Sequence, residues 1–271
     1  MERGSKLVER VITGLILVTL TAVLLWVPAL RLFLTVFIAF LATTAGYEFM
    51  KMIEGKNSNL LYYISVALIP IAIFSGFIGE IKHLHLIYII LFGIIAVIYI
   101  FFSPTSIQNL VGSAFILFYF GWIPAHLIIL HKENNGPGLI TLFIVAVALC
   151  DSGAYLVGKT IGKYKLAPTL SPNKTLEGSI GGFVFSILGM LILWLLHIYY
   201  FTEFLPKSTM LYYVKWGIIL SILSQLGDLL ESRWKREAGI KDSGSIFPGH
   251  GGVLDRCDGM LFSFPFFFYL H

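Results

Sequence analysis

Residues Gly178 to Phe201 read Gly-Ser-Ile-Gly-Gly-Phe-Val-Phe-Ser-Ile-Leu-Gly-Met-Leu-Ile-Leu-Trp-Leu-Leu-His-Ile-Tyr-Tyr-Phe, 24 positions without one Asp, Glu, Lys or Arg. A helix rises 1.5 Å per residue, so about 20 such residues cross a hydrocarbon core about 30 Å thick. The stretch therefore predicts a spanning helix. Its opening, Gly178-Ser179-Ile180-Gly181-Gly182, supplies a small-residue face for close helix packing. Outward from it the same pattern recurs at roughly 11–27, 31–49, 60–79, 84–102, 108–130, 139–157, 210–230 and 259–270, the last of these short and holding Pro265. The runs are continuously apolar, whereas barrel strands would be about ten residues of alternating character. Pro70 and Pro124 fall inside spans, which membrane helices tolerate when neighbours satisfy the freed carbonyls. The whole chain agrees: 57% of its residues are hydrophobic and 13% charged, with a mean hydropathy of +0.85. Charge that scarce excludes a water-soluble globule. The 23 Phe exclude disorder, and two Cys (Cys150 and Cys257) do not make a disulfide scaffold. The expected fold is all-α, a polytopic integral membrane protein with about nine transmembrane helices.

Lys and Arg set the orientation. In a nine-span arrangement 14 of them, including Arg3, Lys6, Arg10, Lys159, Lys174, Lys235 and Arg256, fall on one side and five on the other. The heavier side is expected to be cytoplasmic, at a bacterial-type inner or plasma membrane, with the N-terminus and two long polar loops, 158–177 and 231–258, facing inward. The basic segment Met1–Arg10 before the first run fits a signal peptide or a signal anchor, and the poor cleavage context at Val27-Pro28-Ala29 favours the anchor. Between residues 11 and 150 acids are sparse: Glu48, Glu54, Glu80 and Glu133, each near an expected helix end. From 151 to 258 they become dense. The chain is accordingly divided into N-terminal membrane scaffold helices, 1–107, a middle membrane segment, 108–138, and a C-terminal membrane region carrying the chemistry, 139–271.

Asp228 ends an apolar run, Ile222-Leu223-Ser224-Gln225-Leu226-Gly227-Asp228, with Ser224 and Glu231 on its helical face. An acid there is either hydrated by the headgroups or has its burial offset by a bound cation, and an intramembrane acid suggests the second. Asp151 has a similar setting. Residues Gly153 to Thr160 formally match the phosphate-loop string GxxxxGK[ST], but their bulky apolar residues belong to a span and not to a strand–loop–helix cradle. The stretch Gly158-Lys159-Thr160 through Ser171-Pro172-Asn173-Lys174-Thr175-Leu176-Glu177-Gly178 is broken by Pro172 and glycines and reads as a structured loop. It serves as a positive-inside anchor on anionic lipid or as a phosphate-binding loop. The segment 231–258 continues the Asp228 helix through the pair Glu231 and Lys235. It then becomes turn-rich around Pro248-Gly249-His250-Gly251-Gly252, where glycines let backbone approach a ligand. Asp255 and Asp258 share a face if helix resumes there.

The two loops and two span-end acids hold nine Lys/Arg and eight Asp/Glu. A plain anion site needs no acids. Phosphates bound together with Mg²⁺ need both signs, because hard cations take oxygen ligands while Lys and Arg hold the remaining phosphate oxygens. No nucleic-acid module is visible in the sequence.

Ser232-x-x-Lys235-Arg236, Lys241-Asp242, Pro248-Gly249-His250-Gly251-Gly252 and Asp255-Arg256-x-Asp258 together resemble the signature of the phosphatidate cytidylyltransferases, or CDP-diacylglycerol synthases. The Asp151–Tyr155 and Ser171–Gly178 stretches resemble the same family. Trp234 and Cys257 stand where that family usually has smaller or aliphatic residues. The resemblance implies cytidylyl transfer from CTP to phosphatidic acid with Mg²⁺, two ions being expected, among membrane lipids, and leaves a homodimer open. It further implies Asp228 and Asp255, then Asp258 and Asp151, as metal ligands. Lys235, Arg236, Lys241 and Arg256 would hold phosphate oxygens and His250 would orient the triphosphate. Lys159, Ser171, Asn173, Lys174 and Thr175 would contact substrate. The rival enzyme is a CTP-dependent polyprenol or phytol kinase attacking the γ-phosphorus. The rival of another class is an ion-coupled transporter, which the one-ended clustering of acids disfavours. The DGxxAR pattern of CDP-alcohol phosphotransferases is absent from the sequence.

Overall fold

The computed structural model describes residues 14, 16, 18–54, 59–102, 106–200, 202–244 and 251–271. Helix α1 is described over 18–26, and a turn of 3₁₀ helix, Pro28–Leu30, leads into α2, Arg31–Glu54. There follow α3, Leu60–Ile78; α4, Ile81–Phe102; α5, Ile107–Ile116; and α6, Ile123–His131, joined to α5 by a π-helical turn over Leu117–Trp122. Helix α7, Gly136–Ile161, leads into the strands β1, Lys165–Ala167, and β2, Ser171–Thr175. The chain closes with α8, Leu176–Tyr199; α9, Met210–Glu237; and α10, Leu254–Leu270.

Among the described residues, six helices are long and apolar enough to cross a bilayer: Pro28–Glu54, Leu60–Ile78, Ile81–Phe102, Ile107–His131, Gly136–Ile161 and Leu176–Tyr199. Each falls within a few residues of an expected span. Of the other three expected spans, 11–27 lies partly outside the described residues. Helix α9 has the length, 28 residues, but its last turns are charged. Helix α10 has 17 residues, about 25 Å of rise. The chain is an integral membrane protein, and its described residues are all-α apart from one hairpin.

The chain forms two compact units, Met1–Ile129 with Ala238–Arg256, and Leu130–Glu237 with Cys257–His271. In the first, α3 contributes Leu61 and Ala72 to a core shared with Leu91 and Ile95 of α4 and Leu117 of the π turn. Small residues set the spacing: a Cβ on Gly76 would lie 2.6 Å from the Ala125 carbonyl oxygen. The π turn stands just before Pro124, whose missing N–H and ring deny the Phe120 carbonyl its ordinary i+4 partner. The Ile89, Val97, Ile100 and Phe101 side chains of α4 stay exposed on the chain itself, as a lipid-facing surface requires.

In the second unit α8 runs antiparallel to α7, with Leu149, Cys150, Gly153 and Ala154 meeting Gly189, Gly182, Gly181 and Gly178. This is the small-residue face that the sequence offered. Helix α9 joins through the Ser186 hydroxyl, which donates to the Gly217 carbonyl at 3.0 Å. Helix α10 packs Phe264 and Phe267 on Phe143, with ring centroids 5.2 and 5.4 Å apart, and Phe267 edge-on to Trp216 at 4.8 Å.

The segment expected as loop 158–177 differs in two ways. Helix α7 runs on to Ile161, so the whole Gly153-to-Thr160 string is helical and forms no phosphate loop. Beyond it β1 and β2 pair antiparallel, Lys165 opposite Thr175. The Gly162 N–H closes α7 on the Gly158 carbonyl at 3.2 Å, and Pro172 is confined to extended chain. The Glu177 carboxylate pins the hairpin's base by accepting from the Lys163 N–H at 3.0 Å and the Tyr164 N–H at 3.2 Å.

The glycine seam predicts opposite outcomes at two helical glycines. A Cβ on Gly181 would lie 2.5 Å from the Val157 Cβ, so Gly181→Val should separate α7 from α8 at a cost of about 1–3 kcal/mol. Nothing lies within 4 Å of a Cβ on Gly93, so Gly93→Ala should leave stability unchanged or raise it. Melting temperatures of the detergent-purified variants check both.

Candidate active site

The polar ends of α7, α8 and α9 and the hairpin enclose a cavity of about 520 Å³ within the second unit. Seven of the residues singled out in the sequence line it: Asp151, Lys159, Ser171, Asn173, Lys174, Thr175 and Asp228. A volume of this order suits one small-molecule ligand. Its central contact is an ion pair between strand β2 and helix α9, Lys174 Nζ to Asp228 Oδ2 at 2.8 Å. Both side chains are about three-quarters buried, with 29% and 23% exposure, so the pair is neither fully hydrated nor sealed off. A cation in polar contact with a carboxylate beside a cavity is readily exchanged for a phosphate on one side and a metal ion on the other.

The neighbours of this pair have fixed partners. Thr175 is buried, and its hydroxyl accepts from the Gly178 N–H at 3.1 Å as the N-cap of α8, so it reaches the cavity while already engaged. Lys159 belongs to the last turn of α7 and not to a loop; its Nζ meets the Tyr155 hydroxyl at 3.3 Å and stands 5.4 Å from that ring's centroid. Ser171 and Asn173 sit on β2. Sequence reading missed two further wall residues, Ser179 and Gln225. The Ser179 hydroxyl bonds to Gln225 Oε1, and Gln225 Nε2 donates to the Ser179 carbonyl at 3.3 Å. Gln225 lies three residues before Asp228 on α9, a polar residue in an apolar run, and that interruption was the available signal.

Asp258 enters from α10. Helices α9 and α10 cross at two glycines: a Cβ on Gly227 would lie 2.7 Å from the Asp258 carbonyl oxygen and 2.9 Å from the Gly259 Cα. A Cβ on Gly259 would lie 3.1 Å from Asp228 Oδ1. Backbones this close place the Asp258 carboxylate within the electrostatic field of Asp228, Glu231 and Asp151. Glu231 is itself buried and bound to Lys235 at 2.6 Å, the i,i+4 pair read from the sequence. Grouped oxygens of one sign repel, and a bound cation relieves that repulsion. Among the described residues no three of these carboxylates converge as a ready cage. Mg²⁺ does not demand one, since it is usually held by one or two carboxylates, waters and substrate phosphates. The donor set fits that ion.

The remaining candidates are not among the residues that line this cavity. Arg236 donates from Nε to the Leu170 carbonyl at 3.1 Å and so braces the hairpin turn. Asp255 and Lys241 belong to the first unit with Arg256. Asp255 Oδ2 accepts from the Ser243 N–H at 3.0 Å and the Gly252 N–H at 2.8 Å. Lys241 and Arg256 are exposed. His250 lies outside the described residues.

The family model described as "Cytidylyltransferase family" matches residues 8–271. A phosphatidate cytidylyltransferase of Staphylococcus haemolyticus is 42% identical over 155 residues, 57% of this chain and 53% of the relative. One from Staphylococcus saprophyticus is 38% identical over 178 residues, 64% and 66% of the two chains. One from Staphylococcus epidermidis is 35% identical over 257 residues, 92% of this chain and 95% of the relative. The matched stretch thus spans about half to two thirds of the first two relatives and nearly all of the third. The match over almost the whole length places the chain in the cytidylyltransferase family.

Proposed function

We propose that this protein transfers the cytidylyl group of CTP to phosphatidic acid, forming CDP-diacylglycerol and pyrophosphate at the cytoplasmic surface of the membrane. The observation that carries the reading is the Lys174–Asp228 pair in a cavity at the polar ends of membrane helices. One substrate is embedded in lipid and the other is dissolved in water, so the reaction needs a site at that boundary. The likeness to phosphatidate cytidylyltransferases supports the same chemistry.

In the proposed reaction an oxygen of the phosphatidate phosphate attacks the α-phosphorus of CTP. A new P–O–P bond forms as the bond between the α- and β-phosphates breaks, and the electron pair leaves with pyrophosphate. The nucleophile is already ionised, so positioning and charge neutralisation supply the rate. Lys174 would turn from Asp228 to a phosphate oxygen, and Lys159 is placed on the same cavity wall. Asp228 and Asp258 would hold a Mg²⁺ ion, with Asp151 beside them. When bound, that ion supplies charge neutralisation on the triphosphate. Asp255, an acid that the family resemblance implies as functional, would be oriented by the Ser243 and Gly252 N–H groups, and Arg236 would hold the hairpin that carries Lys174. The excess of Lys and Arg on one side supports a cytoplasmic location of hairpin and N-terminus.

Purified protein given labelled CTP, phosphatidic acid and Mg²⁺ should release pyrophosphate and CDP-lipid; release of CDP with a phosphorylated polyprenol would instead assign it as a lipid kinase. Asp228→Asn and Lys174→Ala should each lower turnover about 10²-fold or more while remaining folded. Chelation by EDTA should abolish turnover and Mg²⁺ should restore it, and a wild-type rate in EDTA would remove the metal from the scheme. For orientation, Lys163→Cys in a Cys257→Ser background should react with an impermeant thiol reagent in inverted vesicles and not in right-side-out ones.

A further inference from the structure

Glu48 sits on α2, in the half of the chain that reads as scaffold, yet only 4% of it is exposed. Helix α2 continues to Glu54, so Glu48 lies well inside it and is not at its end. Its partners are nearly 200 residues away in sequence. Oε1 accepts from the Val253 N–H at 3.1 Å, and Oε2 accepts from the Leu254 N–H at 2.8 Å and the Ser243 hydroxyl at 3.1 Å. The first unit contains all of these residues.

The surrounding chain is shaped to admit this carboxylate. A Cβ on Gly244 would collide with Glu48 Oε1, and one on Gly252 would lie 2.6 Å from Oε2. Both positions are glycine, so the backbone closes directly on the carboxylate. Leu254 begins α10, and a helix N-terminus, with its unpaired N–H groups and positive dipole end, stabilises an anion there. A buried carboxylate without such donors would be very costly.

Ser243 links Glu48 to Asp255. Its hydroxyl donates to Glu48 while its N–H donates to Asp255 Oδ2, which also receives the Gly252 N–H. Two carboxylates, one on α2 and one on the first turn of α10, thus tie Ser243 to residues 252–254. Asp255 is one of the acids that the family resemblance implies as functional, and its side chain is oriented by N–H groups that Glu48 keeps in place.

We propose that Glu48 is a positioning residue for cytidylyl transfer, acting through Ser243, residues 252–254 and Asp255; this rests on the function proposed above. A purely packing role would not need a buried charge, three donors and two glycines around one side chain. Glu48→Gln keeps the size but turns an NH₂ group toward backbone donors, so one N–H must lose its acceptor.

The test uses the full-length protein in lipid nanodiscs with CTP, phosphatidic acid and Mg²⁺. Glu48→Gln is expected to lower kcat by roughly 10–100-fold, as loss of an outer-shell partner commonly does, while the KM for CTP moves less than about 3-fold. Ser243→Ala, which removes only one of the donors, is expected to lower kcat by a smaller factor with an unchanged melting temperature. Wild-type kcat in Glu48→Gln overturns the proposal. If that variant does not fold, wild-type kcat in Ser243→Ala overturns it. A wild-type protein that makes no CDP-lipid defeats the proposed function instead. Glu48 is then tested by trypsin: Glu48→Gln should be cut after Lys241 at least about tenfold faster than wild type, as release of a held segment requires. Equal rates overturn the positioning role.

Discussion

A carboxylate near a bilayer persists only where something replaces its lost water, and the polar part of this chain is arranged around that constraint. Each acid meets it differently. Asp228 has the Lys174 ammonium at 2.8 Å and Glu231 has Lys235 at 2.6 Å. Glu177 takes two backbone N–H groups at the base of the hairpin. Glu48 takes two more at the start of α10 together with a hydroxyl. Asp258 is the exception. Its carboxylate accepts the neighbouring Gly259 N–H at 2.8 Å, and its charged surroundings are other acids. The acid whose environment is least compensated by the protein is the one best placed to gain from a cation supplied by solution.

Glycine provides the geometry. Lipid gives helices no hydrophobic reason to associate, so close backbone approach and directional bonds must do so. Along α7 and α8 this yields a tight pair that carries Asp151 within α7 and the hairpin between the two helices. Where α9 crosses α10, Gly227 and Gly259 bring Asp228 and Asp258 onto one side of the seam. Small residues and charged residues therefore form one design: the first remove bulk so that the second can stand close together, which their mutual repulsion would otherwise prevent.

The sequence revealed the helices more readily than the contacts. Uninterrupted apolar runs located six spans to within a few residues, because the length of a membrane helix is set by the bilayer. The hairpin escaped because it is short and its strand pattern weak; Pro172 and the glycines announced a break without saying what replaced the helix. Asp228, Lys174 and Asp151 were legible because charge is conspicuous against an apolar background. Glu48 was equally conspicuous as an acid, yet its proximity to an expected helix end offered a bland explanation. Its partners, Ser243 and the N–H groups of Val253 and Leu254, carry no sequence signal, since any residue but proline supplies an N–H. Gln225 and Ser179 were hidden for a related reason: a polar side chain acquires meaning only once the helix opposite it is known.

That difference bears on how such a chain divides between support and chemistry. Composition puts the boundary near the middle, where acids become dense. Packing puts it elsewhere, for residues 238–256 group with the N-terminal unit although they hold most of the signature motif. Glycines such as Gly244 and Gly252 have little conformational preference of their own. The buried carboxylate on α2 closes against both and accepts from Ser243, Val253 and Leu254. An N-terminal helix that looks inert in composition thereby fixes the chain that carries Asp255, and the scaffold becomes part of the machinery through three hydrogen bonds.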